Sequence, residues 1–402
     1  MKFRSAFVLA LVTGIVAGGL RVGAVEAPLA LEWAQQIGST GTDQSSGVTV
    51  DGTGNVYLTG LFSGTVTVGG QSITSRGNTD IFLAKYNPAG ALLWFRQAGG
   101  HSADEGDAVA VDNAGNVYVA GLFGDTGTFG ETNIVGQANV NIFVAKYDSG
   151  GNLAWTRRAG GTSNCRALAL AVDGNGNAFL SGSFQGTATF GQPGVEPLAT
   201  NLVSSGQSDI FIAKYNTSGL VQWARGAGGS ADDQGQGIAV DGAGNVYVTG
   251  YFSGNVSFDN IELTISGKTD AFIAKFDSIG RAVWARKLGG TGFDYGIGLA
   301  VDKLGNIFLT GSFETTAQFG ASTLTSRGLN DNYLVKYDAN GNIVWLRQGG
   351  GASNDAGNAV TPDGSGGVYH TGLFATSSIF ESSLTSAGSF DIFLAHYKAD
   401  GS

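Results

Sequence analysis

The sequence predicts an all-β protein, a six-bladed β-propeller whose blades each contain four antiparallel strands. Three observations predict it: a tryptophan that returns at a nearly constant interval, four strand-like segments within each interval, and complementary chain ends. The 402-residue chain has 67 glycines but only 5 prolines, with 10% aromatic and 13% charged residues. This composition favours a folded chain with many tight turns and excludes a collagen-like or disordered one.

The tryptophans give the repeat period. Their successive spacings are 61, 61, 68, 61 and 61 residues, which divides residues 29–402 into six repeats of about 61 residues in a single domain. An aspartate follows each tryptophan after 18 residues, and the third unit carries seven extra residues within 191–208. The tryptophans are Trp33, Trp94, Trp155, Trp223, Trp284 and Trp345, and the aspartates are Asp51, Asp112, Asp173, Asp241, Asp302 and Asp363.

Each unit contains four short segments rich in β-branched and aromatic residues, separated by Gly, Asn, Asp or Pro. In the first unit these segments, named A to D in chain order, are residues 47–51, 55–62, 81–86 and 91–97. A Gly/Ser/Thr-rich stretch of about 17 residues connects B to C. Such segments are typical of strands, and four antiparallel strands in each of six repeats are the pattern of a β-propeller.

The chain ends complement each other. The last unit ends as "DIFLAHYKADGS", where its tryptophan strand should begin, whereas "LALEWAQQIG" places a lone tryptophan strand before the first unit. This arrangement predicts that the N-terminal strand pairs into the last blade, which would close the ring and remove its open sheet edges.

The repeated phrases also carry a family resemblance. "VDGAGNVYVTG" and "DIFLAKY", followed by a tryptophan and a Gly-Gly pair, resemble the bacterial SBBP β-propeller repeat, and the resemblance covers all six units. It implies a propeller fold and no defined catalytic activity. The family label refers to seven blades, whereas six are counted here, and the complementary ends favour six.

The N-terminus predicts export. Residues 1–24 combine Lys2 and Arg4 with a short apolar run and small residues, which is typical of a signal peptide cleaved after Ala24 or Ala27; an uncleaved anchor is the alternative. We therefore expect an exported monomer that is extracellular, on the cell surface or periplasmic, without membrane insertion after cleavage. Cys165 alone cannot form an intrachain disulfide, and a net charge of −10 makes nucleic acid an unsuitable partner.

Strand alternation assigns the connections to two faces. The A–B and C–D turns share one, here named the short-turn face. The B–C stretch, the D-to-A loop and the third unit's insertion are expected on the other, the long-loop face, where we also expect a ligand.

Three sets of recurring residues are interpreted as structural. The aspartates Asp51 to Asp363 are expected to open tight A–B turns, with calcium binding as the alternative. The tryptophans are expected to fill the wedge between blades, with sugar stacking as the alternative. An arginine two residues after most tryptophans, such as Arg96, is expected to pair with the aspartate that starts strand C, such as Asp80.

A further acidic column provides the candidate ligand site. It lies eight residues before the turn aspartates, and Cys165 takes its place in the third unit. A ring of carboxylates could hold a cation or a polyhydroxyl ligand, whereas the alternative is that each carboxylate caps its own loop. The column consists of Asp43, Asp104, Asp233, Asp294 and Asp355.

Catalytic signals are weak. His101, His370 and His396 have no metal-like or triad-like spacing, so we predict no catalytic residue, no metal and no cofactor, with calcium as the one exception considered. The favoured function is a secreted binding or scaffold protein for a polysaccharide or a protein. The alternatives are an exported carbohydrate-active hydrolase or lyase, and a calcium-stabilised structural module.

Overall fold

The structure is a computed structural model that describes residues 32–138, 140–380 and 383–402. The predicted signal peptide, residues 1–24, lies outside these described residues. Every regular element in the described part of the chain is a strand, and the strands of each sheet pair antiparallel. The predicted all-β class is therefore confirmed, and the strands recur in six units.

The first unit contains six strands rather than four. Strands A to D of the prediction pair in the order A-B-C-D, and the Ser/Thr/Gly-rich stretch between B and C forms a separate hairpin. In chain order, the strands are β1 (Asp43–Val50), β2 (Val56–Phe62), β3 (Thr65–Val68), β4 (Gln71–Thr74), β5 (Asp80–Tyr86) and β6 (Leu92–Gly99).

The next three units repeat this order. The second contains β7 (Glu105–Val111), β8 (Val117–Phe123), β9 (Thr126–Phe129), β10 (Thr132–Val135), β11 (Asn141–Tyr147) and β12 (Leu153–Gly161). The third contains β13 (Cys165–Val172), β14 (Ala178–Phe184), β15 (Thr187–Phe190), β16 (Thr200–Val203), β17 (Asp209–Tyr215) and β18 (Val221–Ala227). The fourth contains β19 (Asp233–Val240), β20 (Val246–Phe252), β21 (Val256–Phe258), β22 (Ile261–Leu263), β23 (Asp270–Phe276) and β24 (Ala282–Gly290).

The last two units depart slightly from this order. In the fifth unit, strands B and C continue directly into the hairpin, which gives β25 (Tyr295–Val301), β26 (Ile307–Phe319), β27 (Ser322–Tyr337) and β28 (Ile343–Gly349). The described residues of the sixth unit form β29 (Ala356–Pro362), β30 (Val368–Phe374), β31 (Ser377–Ile379), β32 (Ser383–Thr385) and β33 (Asp391–Tyr397), without a strand D among them.

The B–C hairpin explains the unusual length of each unit. In the first unit, Thr and Val alternate along β3, and Gly69 and Gly70 form its two-residue turn with φ of 55° and 78°. Positive φ at both positions suits the tight turns that match strand twist, which is why glycine occurs there. The hairpin of one unit then pairs with strand D of the unit before, as β9 does with β6 and β15 with β12.

The hairpin also changes the expected position of the third unit's insertion. Because the hairpin folds back, its tip lies beside the start of strand D, at the short-turn face. The insertion lies at this tip, where the Glu196 carboxylate accepts a hydrogen bond from the Val221 amide at 3.0 Å. Its predicted position on the long-loop face is therefore wrong, because the B–C stretch reverses direction instead of forming a simple loop.

The core lies between neighbouring units. The innermost strands follow one another in contact from β1 through β7, β13, β19 and β25 to β29. Ring closure is not seen among the described strands, because β33 has no strand D beside it. Its Ile392 and Leu394 are 52% and 45% exposed, whereas the equivalent Ile81 and Leu83 of the first unit are each 2% exposed.

Candidate functional site

The recurring tryptophan joins each unit to the next. Trp94 is buried, and its indole N–H donates to the carbonyl of Ser149 in the following C–D turn at 3.1 Å. Gly151 of that turn lies directly over the Trp94 ring. Equivalent hydrogen bonds join Trp155 to Thr217, Trp223 to Ser278 and Trp345 to Ala399. Trp284 lies against Gly341 in the same way. This geometry is that of a packed joint between units.

The recurring arginine belongs to the same joint. The Nε of Arg96 donates to the Gly151 carbonyl at 2.7 Å, and its guanidinium lies 5.6 Å from the Trp94 ring centroid. The predicted pair of Arg96 with Asp80 is wrong, because the register of β5 and β6 places Arg96 opposite Leu83, three residues along the strand from Asp80. The carboxylate of Asp80 instead accepts a hydrogen bond from Gln97 at 2.6 Å.

The turn aspartates organise the A–B turns. The Oδ1 of Asp51 accepts hydrogen bonds from the backbone amides of Thr53 and Asn55 at 2.9 and 3.0 Å, and its Oδ2 accepts from the Asn55 side chain. Gly54 adopts φ of 83° in this turn, a conformation that glycine tolerates without strain. Burial acts to raise the pKa of Asp51, but the hydrogen bonds from Asn55 and Thr53 leave this pKa below its ordinary value.

The turn repeats with small variations. The carboxylates of Asp112, Asp173, Asp241 and Asp302 accept the same bonds from the asparagine four residues later, and in the last unit Gly367 takes the place of that asparagine. There the Nε2 of His396 lies 2.8 Å from Asp363 Oδ2.

The acidic column caps the D-to-A loops. Asp104 is fully buried, and its two oxygens accept hydrogen bonds from the amides of Gly100 at 2.7 Å and Gly124 at 3.1 Å. Corresponding bonds reach Asp233 from Gly229 and Ser253, Asp294 from Gly290 and Glu314, and Asp355 from Gly351. This geometry supports the loop-capping alternative, while ligand binding by the column stays a prediction.

The position of Asp43 differs from that of its counterparts. It is partly exposed, and its carboxylate accepts hydrogen bonds from the backbone and side chain of Ser39. Burial raises the pKa of Asp104 and Asp355 to about 6 and that of Asp233 and Asp294 to about 7, against the opposing effect of their amide donors. The four buried carboxylates are therefore costly to ionise.

One of the three histidines lies in the interior of the protein. His370 is buried in the sixth unit, where burial lowers its pKa to about 3, and its Nε2 lies 2.8 Å from the Thr310 hydroxyl. In the described ranges, no three His, Cys, Asp or Glu side chains come together as a metal site. No helix in the described part of the chain has the length and apolarity needed to cross a membrane.

The third unit's insertion forms a groove that sequence reasoning missed. The groove has a volume of about 530 Å³ and lies between the insertion, strand D of its own unit and the C–D turn of the fourth unit. The seven extra residues of the third unit indicate an irregular feature there. Their position could not be predicted from the sequence, because the B–C hairpin was not recognised. Its lining consists of residues 197–200, Lys214, Gln222, Trp223, Arg225, Ser278 and Ile279.

Two known proteins are similar in sequence to this chain. An uncharacterised WD repeat-containing protein, L264 of Acanthamoeba polyphaga mimivirus, is 25% identical over 433 residues, covering 86% of this chain and 31% of that protein. The regulatory protein FlaEY of Caulobacter vibrioides is 33% identical over 229 residues, covering 54% of this chain and 23% of that protein. The chain thus spans less than a third of the length of either relative.

Among solved structures, a protein of unknown function from Bacteroides caccae has a TM-score of 0.40 and 12% identity, covering 80% of this chain and 87% of that one. The SBBP β-propeller repeat matches residues 32–61, 93–122, 222–255 and 283–312. Four regions of this chain are therefore similar to the SBBP β-propeller repeat.

Proposed function

We propose that this protein is an exported, non-enzymatic binding or scaffold protein whose ligand is an extracellular polysaccharide held in the groove of the third unit. The observation that carries the proposal is the groove itself, which lies where one unit departs from the repeat. A single binding position requires such a departure from the repeat, because equivalent joints between the other units would offer the ligand equivalent positions.

The lining of the groove suits a sugar chain. Lys214, Arg225 and Gln222 bring two cations and an amide, while Leu198 and Ile279 are exposed apolar side chains at its edge. Arg225 is held in place because its Nε and one terminal nitrogen donate to the carbonyls of the next C–D turn. Because the chain has a net charge of −10, two cations in one groove favour an acidic sugar.

A variant that restores the ordinary turn tests the groove. Residues 192–199 are replaced by a single Glu, which recreates the Gly-Glu turn of the second unit, and a second variant carries Lys214→Ala. Lys303→Ala, in an exposed A–B turn, is the matched control. On a glycan array we expect both groove variants to lose at least about tenfold in affinity, with the control unchanged. If all variants bind glycans equally, the groove is not the binding site. If the unmodified protein binds no glycan, the ligand is not a polysaccharide and a protein partner is favoured.

We further propose that the six units close into a ring through the N-terminal segment. The indole N–H of Trp33 donates to the Pro88 carbonyl at 2.9 Å, and Gln35 Nε2 donates to the Gly90 carbonyl at 3.0 Å. These are the bonds that Trp94 and Arg96 make to the second unit. The segment therefore occupies the place of strand D of a preceding unit.

The exposed edge of β33 supports the same proposal. If the segment pairs with β33 in the register of β5 and β6, Leu394 lies opposite Gln35, as Leu83 lies opposite Arg96. Cysteines introduced at Gln35 and Leu394 should then form an intramolecular disulfide on oxidation, detected by mass spectrometry. A crosslink between two chains, or none under conditions that oxidise a control pair at Leu83 and Arg96, contradicts intramolecular closure.

A further inference from the structure

Pairs of buried aspartates occupy the junctions between units. One member starts strand C, and the other is the loop aspartate 24 residues later, at the start of the next unit. The backbone holds them together, because the amide of Asp233 donates to the carbonyl of Ser208, the residue before Asp209, at 2.7 Å. The pairs are Asp80 with Asp104, Asp209 with Asp233, Asp270 with Asp294, and Asp331 with Asp355.

A glycine lies against the carboxylates at these junctions. At Gly289, the position that a Cβ would take lies 2.4 Å from Asp270 Oδ1 and 2.8 Å from Asp294 Oδ2. At Gly228 and Gly350, this position lies 2.6 and 2.5 Å from the Oδ1 atoms of Asp209 and Asp331. The backbone of each of these glycines is therefore in close contact with a carboxylate, which leaves no room for a side chain there.

Several of these oxygens have no partner. The Oδ1 atoms of Asp209, Asp270, Asp331 and Asp355 are buried without a hydrogen bond, and their residues are at most 4% exposed. A buried carboxylate oxygen without a donor or a cation is strongly unfavourable. Three of these atoms, in Asp209, Asp270 and Asp331, occupy the equivalent place at the start of strand C, and they point to a missing positive partner.

The junction between the second and third units shows what replaces that partner. Both acids are absent there, since Asn141 and Cys165 occupy the two positions. The Asn141 amide donates to the carbonyl of Ala138 at 2.6 Å, a bond that a carboxylate cannot make. Both carboxylates are absent at this junction, which indicates that the two positions function as a pair.

Neighbouring side chains offset the charge unequally. Gln97 and Gln348 donate to Asp80 and Asp331 at 2.6 Å, and Lys287 Nζ lies 3.6 Å from Asp270 Oδ2. Gly226 stands at the equivalent place of the third unit, so strand D brings no side-chain donor to Asp209 and Asp233. This pair, with Asp232 as a further nearby negative charge, is the least compensated of the four.

We propose that the three aspartate pairs with an unpartnered oxygen each bind one calcium ion at the junction between two units, with Asp209 and Asp233 as the strongest site. Hard oxygen ligands select calcium, which accepts irregular sets of carboxylates, backbone carbonyls and waters, whereas zinc prefers nitrogen and sulfur. Two carboxylates per site favour a dissociation constant on the order of 10⁻⁴–10⁻³ M, as in extracellular calcium modules. This inference is independent of the polysaccharide groove.

The full chain is tested by thermal unfolding in 5 mM CaCl2 and in chelator at two pH values, together with terbium luminescence sensitised by aromatic residues. We expect calcium to raise the Tm by several degrees at pH 7.5 and by less at pH 5.5, where protons compete for the carboxylates. Asp209→Asn should reduce the calcium shift and the number of terbium ions bound. The matched control is Asp338→Asn, because the Asp338 carboxylate already accepts bonds from Asn340 and Asn342.

Two results overturn the proposal. A Tm that is the same in calcium and chelator at pH 7.5, without terbium emission, shows that the aspartate pairs bind no cation. A Tm that rises on acidification but ignores calcium shows that each pair shares a proton instead. If Asp209→Asn does not fold, the terbium stoichiometry of the unmodified chain decides, with up to three ions expected and none contradicting the proposal. Asn141→Asp combined with Cys165→Asp should add one.

Discussion

The indole nitrogen of Trp94 donates a hydrogen bond to the carbonyl oxygen of Ser149, which lies 55 residues later in the C–D turn of the next unit. The turn is pressed against the Trp94 ring, because Gly151 has φ of 78° and no side chain. One strand thus fixes both the position and the backbone conformation of a turn in its neighbour. The stability of the molecule should therefore depend on these joints.

Gly151→Ala tests the joint. The new Cβ would lie 2.8 Å from the Trp94 ring and would need an unfavourable positive φ, so we expect a loss of about 1–3 kcal/mol in the free energy of unfolding. Gly52→Ala is the control, because no atom lies within 4 Å of its Cβ position. The free energies are measured by chemical denaturation. Equal stability of the two variants would show that the C–D turn accommodates the added Cβ at little cost.

Ile392→Asp tests whether the last sheet edge is covered. Ile392 is exposed in the described part of the chain, whereas its counterpart Ile81 is buried between strands. In a closed ring the substitution buries a charge and should cost about 2–4 kcal/mol of unfolding free energy. Val344→Asp is the control, since Val344 is equally exposed on strand β28. Similar small losses in both variants would argue for an open edge.

The buried aspartates predict an acidic stability optimum in chelator. Asp104, Asp233, Asp294 and Asp355 have native pKa values of about 6 to 7, above the ordinary value of 3.8, so the native state binds more protons between pH 4 and 7. Stability should then fall as pH rises through this window. Asp363, whose pKa is lowered to about 2, makes the opposite contribution, which is lost below pH 4.

We therefore expect the highest Tm near pH 4–5 when calcium is absent. The measurement is a series of thermal melts in chelator at constant ionic strength. A Tm that rises steadily from pH 5 to pH 8 would show that the buried carboxylates are ionised at little cost.

His370→Leu should stabilise the protein. His370 lies where the other units have leucine or valine, and its buried Nδ1 has no hydrogen-bond partner. Removing this atom should gain about 1 kcal/mol in the free energy of unfolding. Because the native pKa is about 3 and the ordinary value is 6.5, the gain should increase as pH falls below 6.5. Denaturation at pH 5 and pH 8 measures it; a loss at both would show that the contact with Thr310 matters more.

The repeated sequence predicted the strands but not the partners of their side chains. The spacing of Trp94 and Asp112 identified the units, because a repeated fold needs the same turn and the same packing residue each time. The pairing of Arg96 with Asp80 was wrong, since Arg96 lies opposite Leu83 and the register of a hairpin cannot be counted from the length of its turn alone. The hairpin of β3 and β4 was also missed, because Ser, Thr and Gly are common in loops as well as at exposed strand positions.

The sequence by itself determined the all-β class, the number of repeated units and the residues that form their turns. These properties depend on local chemistry, namely side-chain alternation along a strand and the capping of a turn by its own aspartate. The tertiary structure alone decided that the third unit's insertion lies beside Ile279, and that Asp270 and Asp294 both contact Gly289. Such relationships depend on how chain segments that are distant in sequence fold back and pack, which no single repeat encodes.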